Sequence, residues 1–171
     1  MEFVFETDYN QRAMTAMAKG LRKTVRKKRS RRTHIFGWIG IALALLLGFV
    51  TENSSGTGTL VTWAAAIAMI GTMIFEDFLN GYLARKNMLP GTAHAKAIFT
   101  EDGYRSETAA GNTEWKYENI VAMAELPRYF VFLFGKNHAQ VYDKHSLTGG
   151  TAEAFRAFME AQTGKTVEIL K

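Results

Sequence analysis

The chain of 171 residues contains no cysteine and only two prolines. The absence of cysteine excludes disulfide scaffolds, thiolate nucleophiles and cysteine-ligated zinc or iron–sulfur sites. Acidic residues are missing locally: residues 9–51 hold ten Lys or Arg and no Asp or Glu. The rest of the chain has 11 basic and 16 acidic residues, so the net charge of +5 is the property of this one segment.

Two long charge-free runs occupy the middle of the chain, at residues 34–50 and 60–75. Runs of this length and purity are typical of membrane helices. The second run would be about 24 Å long as a helix, which is short of the roughly 30 Å hydrocarbon core. We therefore expect its helix to continue past Glu76 and Asp77 to about Arg85.

The sequence thus predicts a transmembrane hairpin over residues 34–85, with spans at 34–50 and 60–79 and an external turn at 51–59. Lys and Arg flank both outer ends of the hairpin, whereas the turn carries one acid and no base. Because Lys and Arg favour the cytoplasmic side of a membrane, we expect a multi-pass protein of the cell membrane with both termini in the cytoplasm.

Small residues recur at four-residue spacing in both spans, and such faces let helices approach closely in lipid. We expect the two faces to pack against each other. They consist of Gly40, Ala44 and Gly48 in the first span and Ala64, Ala68 and Thr72 in the second.

The N-terminal region, residues 1–33, combines a strand with a basic amphipathic helix. Glu2–Thr7 alternates apolar and polar residues, and Asp8 with Gln11 predicts a capping box at the start of the helix. A solitary short strand is unstable, so we expect Glu2–Thr7 to pair with an edge strand of the C-terminal sheet.

A cluster of basic residues precedes the first span and either only sets the topology or also contacts anionic lipid head groups. We expect the lipid contact to be made by Arg22, Lys23, Arg26, Lys27, Lys28, Arg29, Arg31 and Arg32. The hairpin should bring Glu76 and Asp77 to the same interface, where they are expected to pair with Arg29, Arg31 and Arg32.

The C-terminal region, residues 95–171, predicts a small antiparallel β domain. Six short strand patterns are separated by turn signals, which indicates a meander. They are Lys96–Thr100, Gly103–Thr108, Thr113–Tyr117, Ile120–Leu126, Tyr129–Phe134 and Ala139–Asp143. Apolar residues after Gly150 then predict a helix that ends at Gly164 and covers one face of the sheet.

Several of these residues resemble the YcxB-like family of bacterial membrane proteins. The resemblance rests on Phe99-Thr100-Glu101-Asp102-Gly103, Trp115, Ile120, Glu125, Tyr129-Phe130, Phe132-Leu133, Lys136-Asn137, Ala139, Phe155-Arg156 and Phe158, and on Phe5 and Tyr9 near the N-terminus. It implies a pleckstrin-homology-like (PH-like) domain on a membrane anchor. The fold class expected is therefore an α+β membrane protein: a two-helix hairpin plus a PH-like domain closed by a C-terminal helix.

The sequence contains no recognisable enzyme signature, metal site or cofactor motif. The four histidines, at positions 34, 94, 138 and 145, lack the spacing of metal ligands. We expect a non-enzymatic membrane-anchored adaptor that contacts the bilayer and a protein partner but no nucleic acid. An immunity or envelope-stress protein that protects the membrane from a toxin is the alternative, and the oligomeric state is left open.

Overall fold

The computed structural model describes residues 2–50 and 56–171, so most of the predicted turn at 51–59 lies outside the described residues. Four helices and one strand come first along the chain: β1 Phe3–Asp8, α1 Gln11–Lys23, α2 Lys27–Val50, α3 Gly56–Ile74 and α4 Glu76–Lys86. The remaining elements are β2 His94–Phe99, β3 Tyr104–Thr108, β4 Gly111–Trp115, β5 Ala122–Glu125, β6 Tyr129–Leu133, β7 Ala139–Asp143, α5 Ala152–Thr163 and β8 Val167–Ile169. The architecture is α+β.

The strands form two four-stranded sheets rather than one continuous meander. The first has the order β1-β2-β3-β4 and the second the order β7-β6-β5-β8. The chain leaves the first sheet through a short 3₁₀ helix at Tyr117–Asn119. The Tyr117 hydroxyl donates to the carbonyl oxygens of Thr100 and Gly103, which ties this crossing to the β2–β3 turn. Strand β8, which runs parallel to β5, was not predicted from the sequence.

The N-terminal strand joins the first sheet, as predicted. β1 pairs antiparallel with β2 from Phe3 opposite Phe99 to Asp8 opposite His94. Its other side meets the second sheet, where the Thr7 hydroxyl accepts a hydrogen bond of 3.0 Å from the backbone amide of Asp143. β1 and β2 are therefore neighbours in the sheet, although helices α1 to α4 lie between them along the chain.

The core between the two sheets is aromatic. Phe5 is fully buried and its ring packs against those of Phe99, Phe130, Tyr142 and Phe155. Burying one such side chain stabilises a fold by about 1.5–3 kcal/mol relative to leaving it exposed. β1 is therefore part of the core.

Helix α5 closes the core, as the apolar spacing after Gly150 predicts. The Thr151 hydroxyl caps its first turn by accepting from the Ala154 amide, and Gly164 ends it in the left-handed conformation at φ 64°. Phe155 and Met159 point into the aromatic core.

Helix α1 covers the outer face of the second sheet. Its Gly20 lies against Val131, and an added Cβ would come within 2.8 Å of a Val131 methyl group. The predicted capping box is wrong: Asn10 is the N-cap, and its side chain accepts from the Ala13 amide. Asp8 still belongs to β1 and pairs instead with His94 at 2.8 Å.

Helices α2 and α3 form an antiparallel hairpin. Gly37 near the middle of α2 meets Met73 near the end of α3, and Gly48 near the end of α2 meets Trp63. The predicted small-residue faces are only partly right, because Gly48 lies in the contact whereas Ala64, Ala68 and Thr72 are exposed. Ala66 is the buried alanine of α3, and a Cβ added at Gly40 would meet nothing within 4 Å.

The second predicted span is broken rather than continuous. Phe75, at φ −95° and ψ 17°, separates α3 from α4, and the chain bends there by 74°. By length and composition, Lys27–Phe49 could cross a membrane, whereas Leu60–Ile74 with Glu76–Lys86 qualifies as a second crossing only if the bent pair is one span. The expectation that one helix continues to Arg85 is therefore wrong.

Candidate membrane-interface site

A polar junction lies where α1, the first turns of α2, α4 and the β6–β7 turn meet. Three arginines, one histidine and two carboxylates converge there, although they come from four separate segments.

Asp77 is held by Arg22 in a bidentate ion pair. The Arg22 Nε and Nη2 atoms each lie 2.6 Å from a different carboxylate oxygen of Asp77. The hydrogen bond to Asp77 is the main reason that the pKa of Arg22 is raised above its ordinary value. The pair joins α1 to α4, so it fixes the helix after the bend onto the globular domain.

Glu76 lies beside Asp77 but points to α2. One of its carboxylate oxygens is 2.7 Å from Nε2 of His34 and 3.7 Å from Nε of Arg22. The two carboxylates therefore have partners other than those expected from the sequence. Arg22 and His34, rather than Arg29, Arg31 and Arg32, hold them, because the bend at Phe75 turns α4 towards α1.

Arg26 fixes the turn between α1 and α2 to the β domain. Its guanidinium donates to the carbonyl oxygen of Lys136, at 2.5 Å, and to the side-chain oxygen of Asn137, at 2.8 Å. Both acceptors are uncharged and lie in the β6–β7 turn. The charge of Arg26 is therefore hydrogen-bonded but not neutralised by them.

A cavity of about 520 Å³ opens between these elements. Its charged lining consists of Arg22, Arg26, Arg29 and Glu76, and its uncharged polar lining consists of Ser30, Thr33, Asn80 and Asn137. Within the described part of the chain, the Arg29 guanidinium has no ion-pair partner. The cavity is thus positively charged and rich in hydrogen-bond donors.

The structure divides the predicted lipid-contact residues into two groups. Arg22, Arg26 and Arg29 line the cavity. The other five, Lys23, Lys27, Lys28, Arg31 and Arg32, do not line it; they are exposed, as Arg29 also is. The spacing of four and three residues between Arg22, Arg26 and Arg29 is a signal in the sequence that could have grouped these three. No such signal identifies Asn80 and Asn137 as lining residues, because long-range packing brings them to the cavity.

A second ion cluster, at Glu125, was not predicted from the sequence. Its carboxylate lies 2.9 Å from Nζ of Lys144 and 2.6 Å from Nε of Arg156. Burial alone would raise the pKa of Glu125, but the hydrogen bonds and charges of Arg156 and Lys144 outweigh it and lower the pKa. The cluster ties β5 to α5, and it is a structural feature because all three groups satisfy one another.

The described residues contain no group of three or more His, Asp or Glu side chains placed to hold a metal ion. A cavity of about 610 Å³ beside β3 and β4 has a mixed lining of three acids, Glu2, Asp102 and Glu114, and two bases, Arg105 and Lys116. Arg105 is already engaged with Glu107 at 2.9 Å. This second cavity therefore lacks the excess of positive charge that the first one has.

Comparisons with known proteins bear on the β domain. No curated protein matches the chain. A solved structure, a chain of the Spt16D–Pob3N heterodimer, is 14% identical with a TM-score of 0.33, and the match covers 44% of each chain, a likeness too small to carry an argument. The family model described as YcxB-like protein matches residues 99–159. That match confirms, over residues 99–159, the resemblance to the YcxB-like family that the sequence predicts.

Proposed function

We propose that the protein is a membrane-anchored, non-enzymatic adaptor whose hairpin crosses the bilayer and whose β domain is held on the cytoplasmic face. One observation carries the proposal: α2 and α3 expose many large apolar side chains beside a well-packed polar-surfaced domain. They include Phe36, Trp38, Leu43, Leu46, Leu47, Phe49, Leu60, Val61, Ile67 and Ile74, each at least half exposed. An apolar surface of this kind marks a contact with lipid or with another protein.

The length of the hairpin suits a bilayer. The charge-free part of α2, residues 34–50, would be about 26 Å long. The 19 residues of α3 would be about 28 Å long. Both values approach the roughly 30 Å hydrocarbon core. The basic residues before α2, and Arg85 and Lys86 at the end of α4, favour the cytoplasm for both ends of the hairpin.

Helix α4 supports a domain that lies flat on the membrane. It leaves α3 at 74°, so it would run nearly parallel to a bilayer that α3 crosses. Its Gly81 packs on α1, whereas Phe78, Leu79, Tyr82 and Leu83 are exposed. A helix in this orientation would place these exposed apolar side chains at the head-group boundary.

In this proposal β1–β7 and α5 form a PH-like domain, and the hairpin is an insertion between its first and second strands. The outer edge of β4 is the surface that we propose for a protein partner, because β4 pairs only with β3 among the described strands. Open sheet edges recruit extended segments through backbone hydrogen bonds.

Two experiments on the full-length protein test the proposal. Alkaline carbonate extraction should leave the protein in the membrane pellet, and its release into the supernatant would refute membrane anchoring. A photo-crosslinking residue at Thr113 on β4 should capture a discrete partner in intact cells. The matched position is Glu118, which is exposed on the neighbouring 3₁₀ helix. Equal capture at the two positions, or none at either, would refute the β4 edge as the adaptor surface.

A further inference from the structure

The cavity between α1, α2, α4 and the β6–β7 turn has more positive charge than its own carboxylates neutralise. Arg22 is satisfied by Asp77 and lies near Glu76. Glu76 also contacts His34. Among the described residues, Arg26 has uncharged acceptors, at Lys136 and Asn137. In that part of the chain, the guanidinium groups of Arg26 and Arg29 therefore border the cavity without a carboxylate of their own.

The uncharged lining adds further donors of hydrogen bonds. Ser30 contributes a hydroxyl group from α2, and Asn80 contributes a side-chain amide from α4. The Thr33 hydroxyl also lines the cavity but already donates to the carbonyl oxygen of Arg29 at 3.2 Å. Arginine forks and hydroxyl or amide donors are the groups that bind phosphate oxygens in proteins. The volume of about 520 Å³ lies within the range of small-ligand sites, about 300–1,000 Å³.

The position of the cavity along the hairpin fits a head group. Thr33 lines it, and the charge-free run of α2 begins at the next residue, His34. A lipid whose acyl chains lie beside the hairpin would therefore place its phosphate at this level.

We propose that this cavity is a binding site for the phosphate of an anionic phospholipid head group, with Arg29 and Arg26 as its cationic ligands. This inference rests on the proposed membrane anchoring and deepens it: one lipid occupies a built site, in addition to any diffuse attraction by the other bases. The same phosphodiester chemistry could be supplied by a soluble phosphate ester, so the test separates the two sources.

The test titrates detergent-solubilised full-length protein with short-chain phosphatidylglycerol and, separately, with short-chain phosphatidylcholine, and counts bound lipids by native mass spectrometry. The wild-type protein should retain one phosphatidylglycerol preferentially. Arg29→Gln should weaken that binding by about tenfold or more, as expected for the loss of a charge-assisted contact. Arg31→Gln removes the same charge from an exposed position of the same helix that does not line the cavity, and it should change binding by less than about twofold.

Equal weakening in the Arg29→Gln and Arg31→Gln variants would overturn the site in favour of diffuse electrostatics. Displacement of the lipid by glycerol phosphate at an equal concentration would overturn the lipid as its occupant. Carbonate extraction of the same variants keeps the two proposals apart. Arg29→Gln protein that stays in the pellet but shows unchanged phosphatidylglycerol preference refutes only the site, whereas release of the wild-type protein refutes the anchoring.

Discussion

Arg22 and Asp77 are 55 positions apart in the chain, yet they form two parallel hydrogen bonds of 2.6 Å. The residues between them include the whole hairpin. The pair therefore joins the helix that enters the hairpin to the helix that leaves it. Since both side chains are mostly buried, at 20% and 17% exposure, the pair should contribute measurably to stability.

A double-mutant cycle with Arg22→Gln and Asp77→Asn tests this pair. We expect a coupling energy of about 1.5–3 kcal/mol in chemical unfolding of the detergent-solubilised protein, because each bond joins two charged groups. The control is Asp8→Asn, which breaks an exposed pair with His94 and should cost less than about 1 kcal/mol. A coupling energy near zero would show that α4 is held by other contacts.

The close approach of α4 to α1 depends on Gly81. A Cβ at this position would lie 2.7 Å from the Thr15 amide nitrogen and 2.9 Å from the Met14 carbonyl carbon. Because backbone atoms cannot move aside cheaply, Gly81→Ala should separate the helices and destabilise the protein by about 1–3 kcal/mol.

The matched control for Gly81→Ala is Gly40→Ala, since a Cβ at Gly40 meets nothing within 4 Å. Both substitutions replace glycine within a helix, where alanine is intrinsically favoured by about 1 kcal/mol. Thermal unfolding in detergent should therefore show a lower midpoint only for Gly81→Ala. Equal midpoints for the two variants would contradict the close packing of α1 on α4.

The N-terminal strand should be required for the stability of the β domain. Phe5→Ala removes a fully buried ring and should cost about 3–5 kcal/mol. Hydrogen exchange should then speed up in β2, which pairs with β1. The control is Glu6→Ala, on the exposed face of the same strand, which should leave both stability and exchange nearly unchanged. Unchanged exchange protection of β2 in Phe5→Ala would refute the requirement for β1.

Glu125 should make stability dependent on acid pH. Its pKa in the folded protein lies below the ordinary value of 4.5, so the unfolded chain binds more protons as the pH falls through this range. The stabilisation is complete above pH 4.5 and is lost as the pH falls through the lowered pKa.

Glu125→Gln should remove this pH dependence and cost about 1.5–3 kcal/mol at neutral pH, since Lys144 and Arg156 lose a charged acceptor. Glu118→Gln is the control, because its pair with Lys116 is 4.0 Å long and both side chains are more than 70% exposed. The measurement is the free energy of unfolding of each variant at pH 7 and at pH 4. Equal changes for Glu125→Gln and Glu118→Gln at both pH values would contradict the role of Glu125.

The sequence predicts the parts of this fold that follow from local periodicity. The strand at Glu2–Thr7, the helix that ends at Gly164 and the hairpins β2–β3, β3–β4, β5–β6 and β6–β7 all appear, because each pattern and its bounding turns lie within a few residues. The expected fifth hairpin, between β4 and β5, is wrong, because the chain passes there from one sheet to the other. Strand β8 has only three residues, and its parallel partner β5 is about 40 positions away. No local pattern identifies such a strand.

The bend at Phe75 shows why the interface was predicted incompletely. Apolar residues continue from Phe75 to Leu83, so periodicity alone favours one helix. The carboxylates of Glu76 and Asp77 gain partners only when the helix breaks and turns towards Arg22 and His34. The N-cap of α1 is Asn10 rather than the predicted Asp8 for a similar reason. Asp8 pairs within β1, so the helix can begin only after it.

Cysteine accessibility tests most directly whether the hairpin crosses the membrane with the β domain in the cytoplasm. The chain has no cysteine, so Gly58→Cys and Glu153→Cys each introduce one thiol. A Cβ at Gly58 meets nothing within 4 Å, and Glu153 is exposed on α5. With a membrane-impermeant maleimide on intact cells, we expect Gly58→Cys to be labelled and Glu153→Cys to be labelled only after permeabilisation. Labelling of both thiols only after permeabilisation, or of both before it, would contradict this topology.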